Sequence, residues 1–427
     1  MVISMASSDS ITLLTFVQAW ISESWLERVI DDHKFSQRDR KIDPVFFIWT
    51  LILGWNAGST RSIASLHRAY QRALGCDCDR SAFYRRFTSK LVAVLDQMWL
   101  HLTRGPDGDT RLGPFVDILA LDATIVALWS RLADRLPAYR QGQAAHKLQL
   151  LISLKTYTPN RMLLDAGTSS DHQAWTMLGP WLKGKLVLCD LGYHKFWFFH
   201  RIHAHGGFFL TRLKKNSALC IVQDLSPGPG RRKPLTGLSF SEALKGMRRQ
   251  LVECVVEVPV TLRSGRKVVY RWRAIAEWNT EQKRYHTYLT NCPDSLIKAS
   301  EAPGLYALRW QVELMFKGLK SVGRLHHLPS TKAVVVEALI KAALLFVLLS
   351  GWLREALCHA EKLSHVGLLR MLGVLREWAS HLHAQLGATR PRYKPVDELD
   401  LFTSQLRDPN IVRARSMLTP CLVDYFP

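Results

Sequence analysis

Negative charge is what this chain is short of: 36 Asp and Glu stand against 57 Lys and Arg over 427 residues, a formal net charge of +21. Such a deficit draws polyanions to the protein, and nucleic acid is the usual one. Cysteine is sparse as well. There are eight, scattered, with only Cys76 and Cys78 close together and no recurring CxxC. That spacing excludes a zinc module and fits a reducing cytoplasm. No apolar run is long enough for a bilayer. The most apolar stretch, Ala333 to Leu357, is broken by Glu337, Lys341 and Arg354. Its uncharged part, Ala342 to Leu353, falls short of the roughly 20 residues a span needs. It reads as a buried core helix, and no membrane partner is expected. No basic region precedes the first apolar stretch, which argues against a signal peptide. Internal repeats and low-complexity tracts are also missing.

What is present is a folded chain, 48% hydrophobic and 22% charged, long enough for about two to four domains. Residues 1–110 read as helical, with apolar residues at helical spacing in Ile11–Val29 and Val45–Leu53. Basic residues gather at Lys34, Arg38, Arg40 and Lys41, and a helix starting at Ser81 or Asp79 would expose Arg85 and Arg86, so this region is the expected DNA-binding part. From about 111 the period changes. Phe115–Leu121, Lys147–Leu154 and Met162–Ala166 read as strands, then a helix over Asp171–Leu182, a strand Leu186–Cys189, a helix near Phe196–His203 and a strand Phe208–Leu213. Three strands followed by alternating helix and strand imply an α/β fold, a mixed sheet flanked by helices, over 111–330. A β-rich block, about 214–300, looks inserted ahead of one long helix from Leu305 to Val322. Its runs are Leu251–Leu262, Lys267–Glu277 and Tyr285–Thr290. Residues 331–427 read as a helical C-terminal region.

That long helix carries Tyr306, Arg309, Glu313 and Lys320. At about 100° per residue these four fall within roughly a 60° arc, so one face presents a carboxylate, two cations and a phenol. On its own this could be a salt-bridged surface, because Arg309 and Glu313 are an i,i+4 pair. Two aspartates add to it. Asp122 and Asp190 each follow an apolar strand, where ligands and metals bind in open sheets. Two strand-end aspartates and one helical glutamate can converge on divalent cations such as Mg²⁺, which takes carboxylate oxygens and keeps positions open for water and phosphate. Two such ions support phosphodiester cleavage by activating the attacking oxygen and stabilising the leaving one.

The spacing Tyr306-x2-Arg309-x3-Glu313-x6-Lys320 resembles the YREK signature of the insertion-sequence-4 family of DDE transposases. The run from Arg309 to Lys320 is similar to that family's wording around the glutamate. Tyr288-Leu289-Thr290-Asn291, Asp122-Ala123-Thr124, Asp190-Leu191-Gly192-Tyr193 and Phe209-Leu210-Thr211-Arg212 match its other blocks in order. The resemblance covers about residues 115–325. It implies a ribonuclease-H-like core with a β-rich insertion before the helix that bears the glutamate. It implies that Asp122, Asp190 and Glu313 hold Mg²⁺, with Mn²⁺ substituting, and that Tyr306, Arg309 and Lys320 grip the element end, with Arg212 as a backbone contact. It further implies cut-and-paste transfer between terminal inverted repeats and target DNA, a homodimer in the synaptic complex, and a bacterial cytoplasm where the protein sits with the nucleoid. Members of the family can stack a flipped base on an aromatic of the insertion. Trp272, Trp278 and Tyr285 are in range here, and Trp278 is the one taken.

Other residues compete and are set aside. His194, His200, His203 and His205 straddle a helix and its exit, and no Cys or acid completes a metal spacing. Asp117 sits mid-strand, Asp171 reads as a helix N-cap, and Lys147 as a solvated lysine. A tyrosine recombinase would need an Arg-rich HxxR-type cluster with a late Tyr, and none is found. A decayed transposase that only binds DNA would be marked by loss of one of the three acids, and all three are present.

Overall fold

In the computed structural model the described residues run from 13 to 388. Left out within that span are 37–41, 58–61, 75–78, 104–112, 215–216, 218, 227–234, 248, 326–327 and 361–365. Arg38, Arg40, Lys41, Cys76, Cys78 and the tail after 388 therefore lie outside the described residues. Helices α1 (Leu13–Trp20), α2 (Glu23–Asp32), α3 (Pro44–Trp49), α4 (Ile63–Leu74), α5 (Arg80–Tyr84) and α6 (Ser89–Thr103) come first. Strands β1 (Ile118–Leu128), β2 (Ala144–Ser153), β3 (Thr158–Ala166) and β4 (Leu186–Cys189) follow. Next are α7 (Phe196–Ala204), β5 (Phe208–Arg212), β6 (Cys220–Asp224), α8 (Phe240–Ala243), β7 (Leu251–Thr261), β8 (Lys267–Asn279) and β9 (Arg284–Thr290). The last helices are α9 (Ala302–Ala307), α10 (Gln311–Ser321), α11 (Ala333–Ala360) and α12 (Leu368–Gly387).

All nine strands join one sheet in the order β3-β2-β1-β4-β5-β9-β8-β7-β6. β1, β2 and β3 form an antiparallel meander, and β4 and β5 then add in parallel to β1. This is the ribonuclease-H-like arrangement. The β-rich block is not a separate body. β9 pairs antiparallel with β5, Leu210 opposite Thr290, so β9, β8, β7 and β6 prolong the central sheet. The physical reason is that β5 would otherwise end the sheet with unpaired backbone groups, which β9 satisfies.

Successive strand residues point to opposite faces, and two cores result. Ile118 and Ala120 of β1, Leu186 and Leu188 of β4 and Leu210 of β5 join one core. Leu119, Leu121, Val187, Cys189 and Phe209 join the other. The first core is covered by the helices of both chain ends. α11 and α12 pack against α6, α4 and the π-helical turn Thr50–Gly54, so stretches far apart in sequence share one interior. Buried Thr50 bonds His383 of α12 at 2.9 Å, and Lys341 of α11 pairs with Asp96 of α6. Gly318 lets α12 close on α10, since a Cβ there would lie 2.7 Å from Leu372. Helix α11 is apolar enough by composition to cross a membrane, with mean hydropathy 2.3, but 83% of its apolar window is buried inside the protein. It is the core helix the sequence suggests.

Several boundaries differ from the sequence reading. Ile11–Val29 breaks at Ile21 and Ser22, where the Ser22 side chain caps α2. Asp171–Leu182 is two 3₁₀ turns, not a helix, because Gly179 is extended and Pro180 opens the second turn. Asp79 caps α5, which ends at Tyr84. Arg85 is exposed, but Arg86 turns inward to donate to Ser36 at 3.1 Å. Asp117 lies just before β1 rather than within a strand and is 7% exposed.

Burial pushes the Asp117 carboxyl up to about 6, and Ser153 and two backbone amides only partly offset this. A raised folded-state value means that folding is unhindered below the ordinary value and loses stability as pH rises through about 6. Asp117→Asn removes that cost. Its stability relative to wild type will rise by about 1–3 kcal/mol between pH 4 and pH 7, then level off. Denaturant melts at four pH values measure it, and a difference independent of pH would refute the assignment.

Candidate active site

β1 and β4 run parallel with Leu121 beside Cys189, so the next residues, Asp122 and Asp190, are neighbours. Both follow the alternation of Ala120 and Leu188 and leave the sheet on the face of the first core. Asp122 is not at a strand end. β1 continues to Leu128 because β2 pairs with it throughout, whereas the pairing with β4 stops at Cys189. The opening beside Asp122 is therefore made by the shorter partner strand.

Over this opening lies the helical segment that carries the other residues. It is not one helix. α9 ends at Ala307, Leu308–Trp310 form a 3₁₀ turn, and α10 begins at Gln311. The tighter turn still aims its side chains at the sheet. Arg309 donates from Nη1 to Asp122 at 2.7 Å and from Nη2 to Glu313 at 2.8 Å. The Tyr306 hydroxyl donates to Asp190 Oδ1 at 3.4 Å. Lys320 lines the same cleft as Asp122, Thr124 and Glu313, a cavity of about 720 Å³. Arg212, at the end of β5, lies over the rings of Tyr288 and Tyr306 at 5.5 and 5.9 Å. The four helix residues, the two aspartates and Arg212 thus come together.

Charge explains the local chemistry. Burial raises the Asp122 carboxyl, and the charges of Asp190 and Glu313 raise it further, against the pull of the Ala123 amide and Arg309. Three carboxylates crowd one patch. Burial works against the Arg309 cation, yet Glu313, Tyr306, Asp122 and Asp190 together hold it well above the ordinary range. Burial and the Asp190 charge push the Tyr306 phenol up as well. Hard oxygen donors in this number suit a divalent cation. The guanidinium bridges two of them, and among the described residues no three acids, histidines or cysteines are placed together closely enough to hold a metal ion while it does so.

Trp278 is not brought to this patch. It continues the alternation of Trp272, Ala274 and Ala276, which face the second core, and packs edge-on against Tyr285 at 5.1 Å. Trp272 is buried on that same face, and Tyr285 packs against it. The histidines also find other roles: His200 bonds Tyr270, His203 bonds Asn291, and burial drives His194 down to about 4. Asp171 is ion-paired to Lys147 at 2.9 Å, and Lys147 is buried, not solvated. The sequence reading missed Lys317, which lines the carboxylate cleft, and the exposed indoles Trp310 and Trp129. Lys317 was within reach, being four residues after Glu313 on one helix face.

Residues 114–349 match the family described as Transposase DDE domain. The transposase for insertion sequence element IS231B of Bacillus thuringiensis subsp. berliner is 23% identical over 370 residues, covering 77% of this chain and 76% of its own. The transposase for IS1151 of Clostridium perfringens is 19% identical over 382 residues, covering 79% of this chain and 80% of its own. A solved structure of the piggyBac transposase synaptic complex with hairpin DNA aligns with a TM-score of 0.45 at 11% identity, covering 93% of this chain and 85% of that chain.

Proposed function

The chain belongs to the transposase DDE-domain family, and from that premise we propose that it excises an insertion sequence by cutting both element ends and joins the freed 3′-hydroxyls to target DNA. The observation that carries this reading is the cleft that Asp122 and Glu313 line with Lys317 and Lys320, with Asp190 beside Asp122 on the neighbouring chain segment and close enough for its charge to act on Asp122. In this reading the three carboxylates are the metal ligands, Mg²⁺ or Mn²⁺ serving. A divalent cation bound there supplies the Lewis acidity that activates water, and later a 3′-hydroxyl, for attack on a phosphodiester.

The chain's own residues have separate tasks. Asp122 and Asp190 are fixed by sheet register, so their spacing does not depend on loops. Glu313 is delivered by α10, whose Val312, Met315 and Leu319 are buried in the core. Arg309 and Lys320 hold DNA phosphates, the guanidinium in a fork that suits two oxygens. Tyr306 orients Asp190 and contacts the strand opposite the first nick, with Arg212 stacked beside it. The +21 charge then serves the inverted repeats, and two bound ends call for a homodimer. The YREK spacing supports membership of the insertion-sequence-4 group.

Tyr306 tests the reaction class. Its phenol donates to Asp190 and carries no covalent chemistry in this scheme. Tyr306→Phe loses one hydrogen bond, about 1 kcal/mol or about a fivefold effect, whereas loss of a covalent nucleophile would cost many orders of magnitude. With a labelled end substrate quenched in denaturant, Tyr306→Phe will still nick. A covalent protein–DNA band made by wild type, insensitive to chelator and missing in Tyr306→Phe, would overturn the scheme.

A further inference from the structure

A second cavity, of about 790 Å³, lies beside the carboxylate cleft, where the end of β1, the turn after α10, α12 and the N-terminal helices meet. The two share Ser321, so they adjoin. The polar groups lining this cavity come from Arg324, Arg376, Ser130, Ser321 and the indoles of Trp55 and Trp129, and among the described residues no acid lines it. Trp55 is 1% exposed, and its Nε1 has no acceptor among the described residues. A buried N–H left without an acceptor is costly, and guanidinium, indole and hydroxyl groups are all donors. The ligand that answers the Trp55 N–H and the positive charge of the two arginines is an anion with several acceptor oxygens.

Trp129 adds a second kind of contact. It is 58% exposed, yet its Nε1 donates to the Leu328 carbonyl at 3.0 Å, which fixes the ring and leaves a face open. Arg324 is held at φ 53°, a backbone conformation that costs a non-glycine residue energy. An anchored open indole beside two guanidiniums is the equipment of a single-strand site, stacking for bases and cations for the backbone. The volume is that of a small-ligand site, which takes one strand and not a duplex.

We propose that this cavity binds one strand of the DNA substrate as it leaves the carboxylate cleft, its phosphates held by Trp55, Arg324 and Arg376 and a base stacked on Trp129. The proposal rests on the DNA-transposase reading and adds a strand subsite between the catalytic sheet and the terminal helices. The test uses the full chain in chelator, so that nothing is cut, and a fluorescein-labelled single-stranded decanucleotide followed by anisotropy over a salt series. Trp129→Ala will weaken binding about tenfold. Arg376→Gln will weaken it and lower the salt slope by about 0.7. The same decamer as a duplex will lose less than twofold in either variant.

Thermal melts will show both variants folded, since Trp129 is exposed and Arg376 half-buried. Should Trp129→Ala fail to fold, the Arg376→Gln slope decides alone. Wild-type affinity and slope in folded variants would overturn the proposal, as would an equal loss on duplex. Displacement of the decamer by a mononucleotide at equal or lower concentration would assign the cavity to free nucleotides and overturn it too, whereas displacement only at far higher concentration supports a strand. Cutting of a donor plasmid is read separately. If it persists without the carboxylates, the functional reading fails whatever the decamer does.

Discussion

Asp122→Asn, Asp190→Asn and Glu313→Gln will each stop cleavage of a supercoiled donor while leaving binding of element-end DNA within about twofold of wild type. Each change removes one negative charge and almost no volume, and where Asp122 or Glu313 is neutralised Arg309 keeps the other as its partner, so the fold is retained. Catalysis is not, because charge placed where a transition state develops charge contributes about 10²–10³-fold per group, and these three act as one ligand set. The geometry supports a shared role for them. Asp122 and Asp190 sit side by side on parallel strands, and Glu313 reaches the same cleft from α10. Donor cleavage is scored on gels with Mg²⁺ and again with Mn²⁺. A variant that cuts at near wild-type rate is removed from the set, and loss of end binding in step with cleavage would mean that the residue holds DNA instead.

Much of this site is legible in the amino-acid sequence, and the reason is physical. A carboxylate after an apolar strand is conspicuous because it is costly to bury without a partner, so Asp122 and Asp190 stand out against Leu121 and Cys189. The helical offsets of Tyr306, Arg309, Glu313 and Lys320 survive a break at Leu308–Trp310, since a short 3₁₀ turn shifts the face only slightly. What periodicity does not carry is pairing across the sheet. Nothing in the runs around Leu251, Lys267 and Tyr285 says that β9 will meet β5, so the sequence shows a β-rich block ahead of the helix but not that it extends the central sheet. Nor does any spacing choose among Trp272, Trp278 and Tyr285, because the face each takes is set by register, and a one-residue shift reverses it. Nor do local patterns show that α11 and α12 will close on helices some 300 residues earlier, as Thr50 and His383 do. Tertiary contacts of that range are decided by burial of whole faces, not by the nearby sequence.

Arg309→Gln will destabilise the metal-free protein and make it respond more strongly to divalent cations. In the structure the guanidinium is 14% exposed and bonded to Asp122 and Glu313, which are 20% and 34% exposed. Removing one partner of a buried pair costs about 3–5 kcal/mol. Partial exposure of the two acids screens the charges left behind, so about 2–3 kcal/mol is expected here. The neutral amide retains most of the volume, which confines the loss to charge. Ligand binding to the folded state alone stabilises it by about 2.7 kcal/mol at a hundred times the Kd. In wild type some of that gain is spent detaching the guanidinium from the carboxylates. In Arg309→Gln it is not, so the rise in Tm on adding Mg²⁺ or Mn²⁺ will exceed that of wild type and restore much of the lost stability. Cleavage will remain low, because the group meant for the DNA phosphate is gone. Thermal melts of both proteins across a metal titration provide the readout. Equal melting temperatures without metal would show that the bridge contributes nothing. A metal-induced rise no larger than that of wild type would show that Arg309 and the cation do not share the same carboxylates.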